Sequence, residues 1–386
     1  MKKRIFAGLL LVIGFLIPNA TLGQRGPIKI GVSLPITGIV ASFGEENLRG
    51  MRLYLDEIGN QFAGRKVELV VEDEVNPAVG LPKVRKLVES DKVHVLVGLV
   101  FSGLAYAVRD YVLSQKVPLI ITTAGARDIT LEGKNPYVFR TANDNTQENL
   151  AFGYYAYKKL GYKRAIVVAQ DDDAGREQAG AFSKMFVLAG GQVAQEIYPA
   201  RGATDLAPFI AQLKLDQADV VYAWFSGTGA PQFIKTYTEY GHRKPIISQG
   251  AMTANPLLPL MGDSALGIVT AKHYSDSIDT PENQRFVRAF QQKYNVTPDA
   301  WAEQAYVGMK AVGEAIKAIG GDVENVPRFL EALRRTRFQG PAGLVQFDAN
   351  QQRVFDVYIR RVEKRDGKLV NAIIDKIPMV SQSWTP

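Results

Sequence analysis

The sequence predicts an α/β protein of two similar lobes, each built on a doubly wound, mostly parallel β-sheet. Short runs of Val, Ile and Leu alternate with longer helical patterns along the chain, and the same cycle begins again near residue 141. The chain has 386 residues, which is enough for about two domains. Because 46 % of the residues are hydrophobic and 22 % are charged, the composition is typical of a globular protein.

Four apolar runs in the first half predict strands, namely IKIGVSLP, KVELVVED, VHVLVGLV and VPLIITT. Helical patterns such as EENLRGMRLYLDEI and GLAYAVRDYVLSQ separate them. Uninterrupted apolar runs of this length indicate strands that are buried on both faces of a parallel sheet. The first half is therefore expected to form the first lobe.

The second half repeats the pattern with the runs KRAIVVAQD, QVAQEIYP, DVVYAWFS and PIISQG. Three helical segments follow, around residues 281–293, 301–319 and 326–336. Near the end, RDGK lies between two alternating runs, which is typical of a β-hairpin. We find no low-complexity linker, so the chain is expected to cross between the lobes several times.

The first 23 residues have the pattern of a secretory signal peptide. Lys2, Lys3 and Arg4 precede an apolar run of about 13 residues, and small residues then lead to a cleavage site after Gly23. The alternative is a membrane anchor, but a bilayer span needs about 20 apolar residues. Cleavage would lower the formal charge from +7 to +4, because two Lys and one Arg are removed. We therefore expect a periplasmic protein without stable membrane insertion, and no nucleic-acid partner.

Enzyme chemistry has little support in the sequence. The chain contains no cysteine, which excludes disulfides, thiolate metal sites and a lipid-anchoring cysteine. Its three histidines, His94, His242 and His273, are far apart, and the common hydrolase, phosphate-loop and dinucleotide motifs are missing. The run Asp171–Asp173 lacks the spacing of a calcium loop and favours a solvated loop or a helix N-cap. We predict a protein that is not an enzyme and that has no metal or cofactor.

The tripeptide Phe-Ser-Gly occurs at the end of two predicted strands, at residues 101–103 and 225–227. Because open parallel sheets bind ligands beyond the carboxyl ends of their strands, these turns are candidate sites. Ser102 and the small residues Thr123, Ala124 and Gly125 have the composition of an anion-binding loop, although ordinary βα turns use the same residue types. Four aromatic residues near strand ends could line a cleft or belong to the core: Phe43, Phe101, Trp224 and Phe225.

Several segments taken together, including IKIGVSLPITGIVASFGEENLRG, VHVLVGLVFSG, VPLIITTAGARDIT and VFRTANDN, resemble the periplasmic solute-binding proteins of branched-chain amino acid ABC transporters. The resemblance extends from residue 24 to the end of the chain. It implies the type I fold of two Rossmann-like lobes, joined by three crossovers near Thr141, Tyr274 and Phe347. The implied lobes are residues 24–141 with 274–346, and residues 142–273 with 347–386.

In the family that the sequence resembles, the ligand carboxylate is bound by a serine after the third strand and by the small-residue loop after the fourth. These positions correspond to Ser102 and to Thr123, Ala124 and Gly125. Gly125 stands where leucine-type binding proteins have a threonine, so one side-chain donor is missing. The repeated tripeptide suggests that Ser226 contributes from the second lobe.

The resemblance also points to the ligand class. Amino-acid binders bind the ammonium group with a glutamate that follows the strand corresponding to KPIISQGA, where this chain has Gln249 and Gly250. Phe43 and Ala174 occupy positions where tyrosines are expected. Since an ammonium group without a carboxylate partner would be a costly buried charge, an uncharged second lobe is predicted to favour an aromatic or apolar carboxylic acid.

The function predicted from the sequence is a monomeric periplasmic receptor that delivers a small carboxylate to an ABC permease. The preferred ligand is an aromatic monocarboxylate such as a benzoate or a phenylpropenoate. One alternative is an amino acid, with Asp171 or Asp173 as the ammonium partner. A ligand sensor for a signalling partner would use the same fold, and the rival from a different class is a secreted hydrolase or dehydrogenase.

Overall fold

The computed structural model describes residues 26–38, 40–131 and 135–386. The predicted signal peptide, residues 1–23, lies outside the described residues. The described residues form a mixed α/β structure with two separate sheets, of which the first is largely parallel and the second combines parallel and antiparallel strands. The predicted fold class is therefore confirmed.

The first sheet has six strands in the order β2-β3-β1-β4-β5-β6. All neighbouring strands are parallel except the short β2, which is antiparallel to β3. The strands β1 and β4 are adjacent, and the strand order reverses between them. The six strands are β1 (Ile28–Leu34), β2 (Gln61–Phe62), β3 (Arg65–Asp73), β4 (Val95–Gly98), β5 (Leu119–Ile121) and β6 (Val138–Arg140).

Helices cover both faces of this sheet, as its uninterrupted apolar strands require. One core joins the sheet to α1, α11 and α12, and another joins it to α2 and α3. The helices of this lobe are α1 (Ala41–Glu57), α2 (Pro77–Glu89), α3 (Ser102–Gln115), α4 (Asp128–Leu131), α10 (Pro281–Tyr294), α11 (Ala300–Ala318) and α12 (Val326–Arg334).

The second sheet has nine strands, in the order β12-β13-β14-β11-β10-β9-β7-β8, with β15 paired to β14. Strands β7 to β11 are parallel, whereas β14 and β15 form the predicted antiparallel hairpin. Asp366 and Gly367 turn this hairpin with positive φ angles of 49° and 76°. The strands are β7 (Arg164–Ala169), β8 (Gln192–Ile197), β9 (Val220–Trp224), β10 (Ile246–Gln249), β11 (Val269–Lys272), β12 (Arg337–Gly340), β13 (Gly343–Phe347), β14 (Arg353–Arg365) and β15 (Lys368–Val380).

Among the described residues, five helices belong to this second lobe, and the core between them and the sheet is larger than either core of the first lobe. The central strands β9, β10 and β11 are again buried on both faces. The helices are α5 (Gln147–Lys158), α6 (Asp173–Leu188), α7 (Ala207–Ile210), α8 (Gly229–Glu239) and α9 (Leu258–Met261).

The chain passes from the first sheet to the second after β6. After β11 it leaves the second sheet for α10, α11 and α12, and it returns to that sheet at β12. Strands β12 and β13 pair with β14 of the second sheet, yet Phe338 and Phe347 pack against the core of the first lobe. The lobe boundaries that the resemblance implies stay a prediction. Among the described residues, no helix combines the length and the apolar character that a membrane span requires.

Candidate ligand-binding site

The two Phe-Ser-Gly turns occupy equivalent places in the two sheets. The first follows β4, which lies beside β1, and the second follows β9, which lies beside β7. In each lobe the strand order reverses at this pair, and such switch points are where open α/β sheets bind ligands. The repeated tripeptide thus follows from a repeated architecture.

In the first lobe, the structure brings Ser102 and the loop after β5 together. Ser102 is the first residue of α3, and its Oγ accepts a hydrogen bond of 3.0 Å from the Ala126 N–H. Thr123 Oγ1 accepts one of 2.9 Å from the Asn47 amide, and the Ala124 N–H donates to the Leu99 carbonyl oxygen. Among the described residues, neither hydroxyl donates a hydrogen bond. Both hydroxyl hydrogens are therefore available to an anion.

Gly125 is a glycine because a neighbouring side chain takes its space. A Cβ atom at residue 125 would overlap Oδ1 of Asn145. The Asn145 amide is in turn held by a hydrogen bond of 2.7 Å to Glu177 on α6, in the second lobe. The threonine of leucine-type binders would not fit here without movement of Asn145. Burial raises the pKa of the Glu177 carboxyl group above its usual value.

Phe43 lies in the first turn of α1 and stacks on Trp301, a residue that the sequence alone did not single out. Their ring centroids are 4.3 Å apart and the rings are inclined by 19°. The buried Asn47 connects this pair to the anion-binding loop, because its amide donates to both the Phe43 carbonyl oxygen and Thr123. Trp301 lies two residues after Asp299, the N-cap of α11. An aromatic residue in the first turn of a capped helix was the sequence signal that could have identified it.

Phe101 precedes α3 as its N-cap residue and is partly buried against the core between α2 and α3. Its backbone N–H points to the carboxylate of Glu74, at 3.4 Å. Phe101 therefore packs against the core and holds the turn that contains Ser102. Glu74 was not singled out from the sequence.

In the second lobe, the residues after β9 are largely engaged with the protein. Phe225 is 3 % exposed and stacks on Phe233 in the core, at 5.0 Å between centroids. The Ser226 N–H and hydroxyl both donate to Oε1 of Gln170, at 2.9 and 3.0 Å. Ser226 therefore orients Gln170, and Phe225 contributes mainly to packing.

Trp224 and Gln249 form a pair at the ends of β9 and β10. The indole N–H of Trp224 donates to Oε1 of Gln249 at 3.3 Å, and the Ala251 N–H donates to the same oxygen at 2.8 Å. Gly250 is buried against the side chain of Lys272, and its carbonyl oxygen accepts from Arg360. The Oε1 atom of Gln249 thus accepts hydrogen bonds from two protein donors.

The second lobe is not uncharged, so that expectation was wrong. Glu148 of α5 accepts hydrogen bonds from the Gln249 amide and from the His273 N–H and ring, and it lies 3.8 Å from Lys272. Burial alone would raise the pKa of Glu148, but the Lys272 charge and the hydrogen bonds from His273 and Gln249 outweigh it and lower the pKa to about 2. Lys272 is thus the cationic neighbour of Glu148, although burial lowers the pKa of the Lys272 ammonium group.

The aspartate run before α6 acts as a helix terminus. Asp172 is the N-cap, and its carboxylate accepts a hydrogen bond of 2.8 Å from the Gly175 N–H. Asp171 pairs with Arg176 at the surface. Ala174, in the first turn of α6, packs against the core of the second lobe. The prediction of an N-cap is therefore confirmed.

Comparison with known proteins identifies the family. The family model for periplasmic binding proteins matches residues 27–368. The chain belongs to the periplasmic binding protein family. Among the curated members of this family, the Leu/Ile/Val-binding protein homolog 6 of Brucella melitensis is 30 % identical, and the match covers 90 % of each chain.

Solved structures of binding proteins agree with this fold. An ABC transporter substrate-binding protein from Sphaerobacter thermophilus is 38 % identical with a TM-score of 0.90, covering 92 % of this chain and 99 % of the other. A solute-binding protein of an ABC transporter from R. palustris, in complex with benzoate, is 33 % identical with a TM-score of 0.84, covering 92 % and 98 %. Members of the family are thus transport binding proteins, and the family name implies a periplasmic location.

Proposed function

We propose that this periplasmic binding protein captures an aromatic monocarboxylate, such as a benzoate or a phenylpropenoate, and delivers it to the permease of an ABC importer. The observation that carries the proposal is the pair of hydroxyls of Ser102 and Thr123. Each is oriented by an N–H donor of the protein and keeps its own hydrogen free. The benzoate-bound R. palustris relative supports the same ligand class.

The carboxylate would bind to these two hydroxyls and to the backbone N–H group of Gly125, since the Ala124 N–H is engaged by Leu99. Charge-assisted hydrogen bonds of this kind contribute roughly 1.5 to 3 kcal/mol each. Phe43 and Trp301, which are joined to Thr123 through Asn47, supply the aromatic surface beside the anion site. The ring of the ligand would pack against this surface.

An α-amino acid fits the second lobe less well. The Gln249 amide is engaged by Trp224, Ala251 and Glu148, and the charge of Glu148 is balanced by Lys272. An ammonium group would have to displace Lys272 or remain unpaired, and an unpaired buried charge costs several kcal/mol. A carboxylate without an amine avoids this cost.

The two lobes, with boundaries after residues 141, 273 and 346, would close around a ligand in the cleft between them. The three connecting segments would provide the hinge. Residues 1–23 would direct the protein to the periplasm before their removal. Ligand and permease would be its main partners, and the receptor would act as a monomer.

A panel of ligands tests the proposed function. We expect benzoate, 4-hydroxybenzoate or a phenylpropenoate to raise the melting temperature of the mature protein, because a ligand that binds only the folded state stabilises it by mass action. Calorimetry then measures the affinity and checks for turnover. Micromolar binding of leucine, isoleucine or valine, without binding of any aromatic acid, would contradict the proposal.

A further inference from the structure

A buried carboxylate lies directly beneath the turn that carries Ser102. Glu74 follows β3 and is 0 % exposed. Its Oε1 accepts hydrogen bonds from the N–H groups of Val100 and Phe101, at 2.8 and 3.4 Å, and its Oε2 accepts one of 3.1 Å from the Ser33 hydroxyl. Glu74 thus fixes the backbone immediately before the proposed carboxylate-binding serine.

The part of the chain that the structure describes places no positive charge beside this group. Among the described residues, the Glu74 carboxylate has no Lys, Arg or His side chain within 4 Å, and the charged group that faces it is Asp73, whose negative charge also disfavours ionisation. From β1 it meets the neutral Ser33, from the turn after β4 it meets backbone N–H groups, and neither α2 nor α3 has an acidic residue in its first turn. Burial raises the pKa of Glu74 to about 7 although three hydrogen bonds oppose the shift.

We infer that Glu74 couples ligand capture to the uptake of a proton, so that the ligand carboxylate binds at Ser102 together with protonation of the Glu74 carboxylate. This inference rests on the proposed function. A ligand carboxylate at Ser102 would introduce a second negative charge one residue away from the Phe101 N–H that bonds to Glu74. Two negative charges in a poorly solvated site repel each other, which favours the protonated form of Glu74.

The turn keeps its geometry when the proton is bound. A protonated Glu74 can donate to the Ser33 Oγ while its other oxygen still accepts from the Val100 and Phe101 N–H groups. Affinity should therefore be highest at acidic and neutral pH, where the proton is available. The affinity should fall above pH 7, because Glu74 is then ionised and has to take up a proton from solution when the ligand binds.

Calorimetry with benzoate tests the inference. We expect the dissociation constant of the wild-type protein to be about tenfold weaker at pH 8.5 than at pH 6, since a coupling of one pKa unit corresponds to a factor of ten. At pH 7.5, measurements in phosphate and in Tris should show net proton uptake. In Glu74→Gln both effects should disappear, whereas Glu72→Gln on the same strand, whose carboxylate pairs with Lys83 and Lys86 at the surface, should behave like the wild type.

Two further carboxyl groups provide the competing explanations. Burial raises the pKa of Glu46 to about 7, and burial also raises that of Glu177. If Glu74→Gln keeps the wild-type proton uptake, another group is responsible and the inference is wrong. Binding of benzoate by the wild type with no dependence on pH would also overturn it.

A measurement without ligand separates this inference from the proposed function. NMR titration of the Glu74 carboxyl carbon in the wild-type protein should give a pKa near 7, and a value below about 5 would overturn the inference whatever the ligand is. Failure of every aromatic acid to bind, with a Glu74 pKa near 7, would instead contradict the proposed ligand class. The wild-type titration also remains decisive if Glu74→Gln does not fold.

Discussion

At the scale of single residues, the hydroxyl groups of Ser102 and Thr123 determine what the first lobe can bind. Each oxygen accepts a hydrogen bond from the protein, from the Ala126 N–H and the Asn47 amide respectively. Because the oxygens are fixed and the hydrogens are free, the pair is preorganised for an acceptor such as a carboxylate. Freely rotating surface hydroxyls would have to lose more conformational freedom on binding.

Removal of one hydroxyl provides the first prediction. Ser102→Ala should weaken binding of an aromatic carboxylate by roughly 1 to 3 kcal/mol, which corresponds to about five- to a hundredfold in Kd. Ser114→Ala is the matched control, because Ser114 lies at the other end of α3 and bonds to the Tyr111 carbonyl oxygen. Calorimetry measures both variants. Equal affinities of the two variants would show that Ser102 does not bind the ligand.

A second prediction concerns the glycine beside Asn145. Gly125→Thr should destabilise the protein by about 1 to 3 kcal/mol, since the new Cβ overlaps the Asn145 amide and overpacking of a filled site has this cost. The double variant Gly125→Thr with Asn145→Ala should recover most of the loss. Urea denaturation measures the free energies of unfolding. No loss in the single variant would mean that Asn145 moves aside freely.

A third prediction follows from the raised pKa of Glu74. Because the folded-state pKa of about 7 exceeds the ordinary value of 4.5, this group makes unfolding progressively easier as the pH rises from about 5 to above 7. Glu74→Gln should therefore increase stability at pH 8 by about 1 to 3 kcal/mol relative to the wild type and have little effect at pH 5. Chemical denaturation at the two pH values provides the test. A variant that is equally destabilised at both would show that Glu74 acts only through its hydrogen bonds.

At the scale of secondary-structure elements, the start of α6 positions the part of the second lobe that contacts the anion-binding loop. Asp172 caps the helix, Ala174 lies in its first turn, and Glu177 lies one turn further and bonds to Asn145. The sequence contained the capping signal, an aspartate followed by a helical pattern. The partner of Glu177 was not visible, because it comes from a different segment of the chain.

The fourth prediction tests this helix start. Asp172→Ala should cost about 1 kcal/mol of stability, because the Gly175 N–H loses its acceptor. Asp171→Ala should cost less than that, since its ion pair with Arg176 is exposed. Thermal or urea denaturation compares the two neighbours. A larger effect for Asp171 would contradict the assignment of the cap.

At the scale of the whole molecule, one buried ion pair links residues near the three predicted crossovers between the lobes. Arg353, at the start of β14, makes two hydrogen bonds to Glu303 of α11, at 2.8 and 2.9 Å, and one of 3.4 Å to the Thr141 carbonyl oxygen. Glu303 also lies 3.8 Å from His273, which follows β11. Both members of the pair are 0 % exposed. The Arg353–Glu303 ion pair therefore stabilises the region that is expected to act as the hinge.

The fifth prediction is a strong effect of breaking this pair. Arg353→Met should destabilise the protein by about 3 to 5 kcal/mol, because Glu303 would remain buried without its partner. Arg164→Met, which breaks the exposed pair with Asp219, should cost less than about 1 kcal/mol. Denaturation in urea measures both.

Small-angle scattering of the wild type should also show compaction with a tightly bound ligand, and no compaction would contradict hinge closure.

The strands, the helices and the final hairpin could be predicted because their signals are local. Apolar runs, caps and the RDGK turn each depend on residues that are close in sequence. The candidate anion site could also be predicted from the sequence, because ligands of open parallel sheets bind at the carboxyl ends of the strands. Trp301 and Glu74 were missed because their partners, Phe43 and the Val100 and Phe101 N–H groups, belong to other segments.

The sequence by itself therefore determined the two α/β lobes and the repeated position of the Phe-Ser-Gly turns. Only the tertiary structure decided the charge state of the second lobe, where Glu148 and Gln249 are 101 residues apart in sequence but bonded in space. It also decided that Asn145 occupies the space beside Gly125. The physical reason is the same in both cases. Hydrophobic periodicity is a property of neighbouring residues, whereas the pairing of buried polar groups depends on which distant segments the folded core brings together.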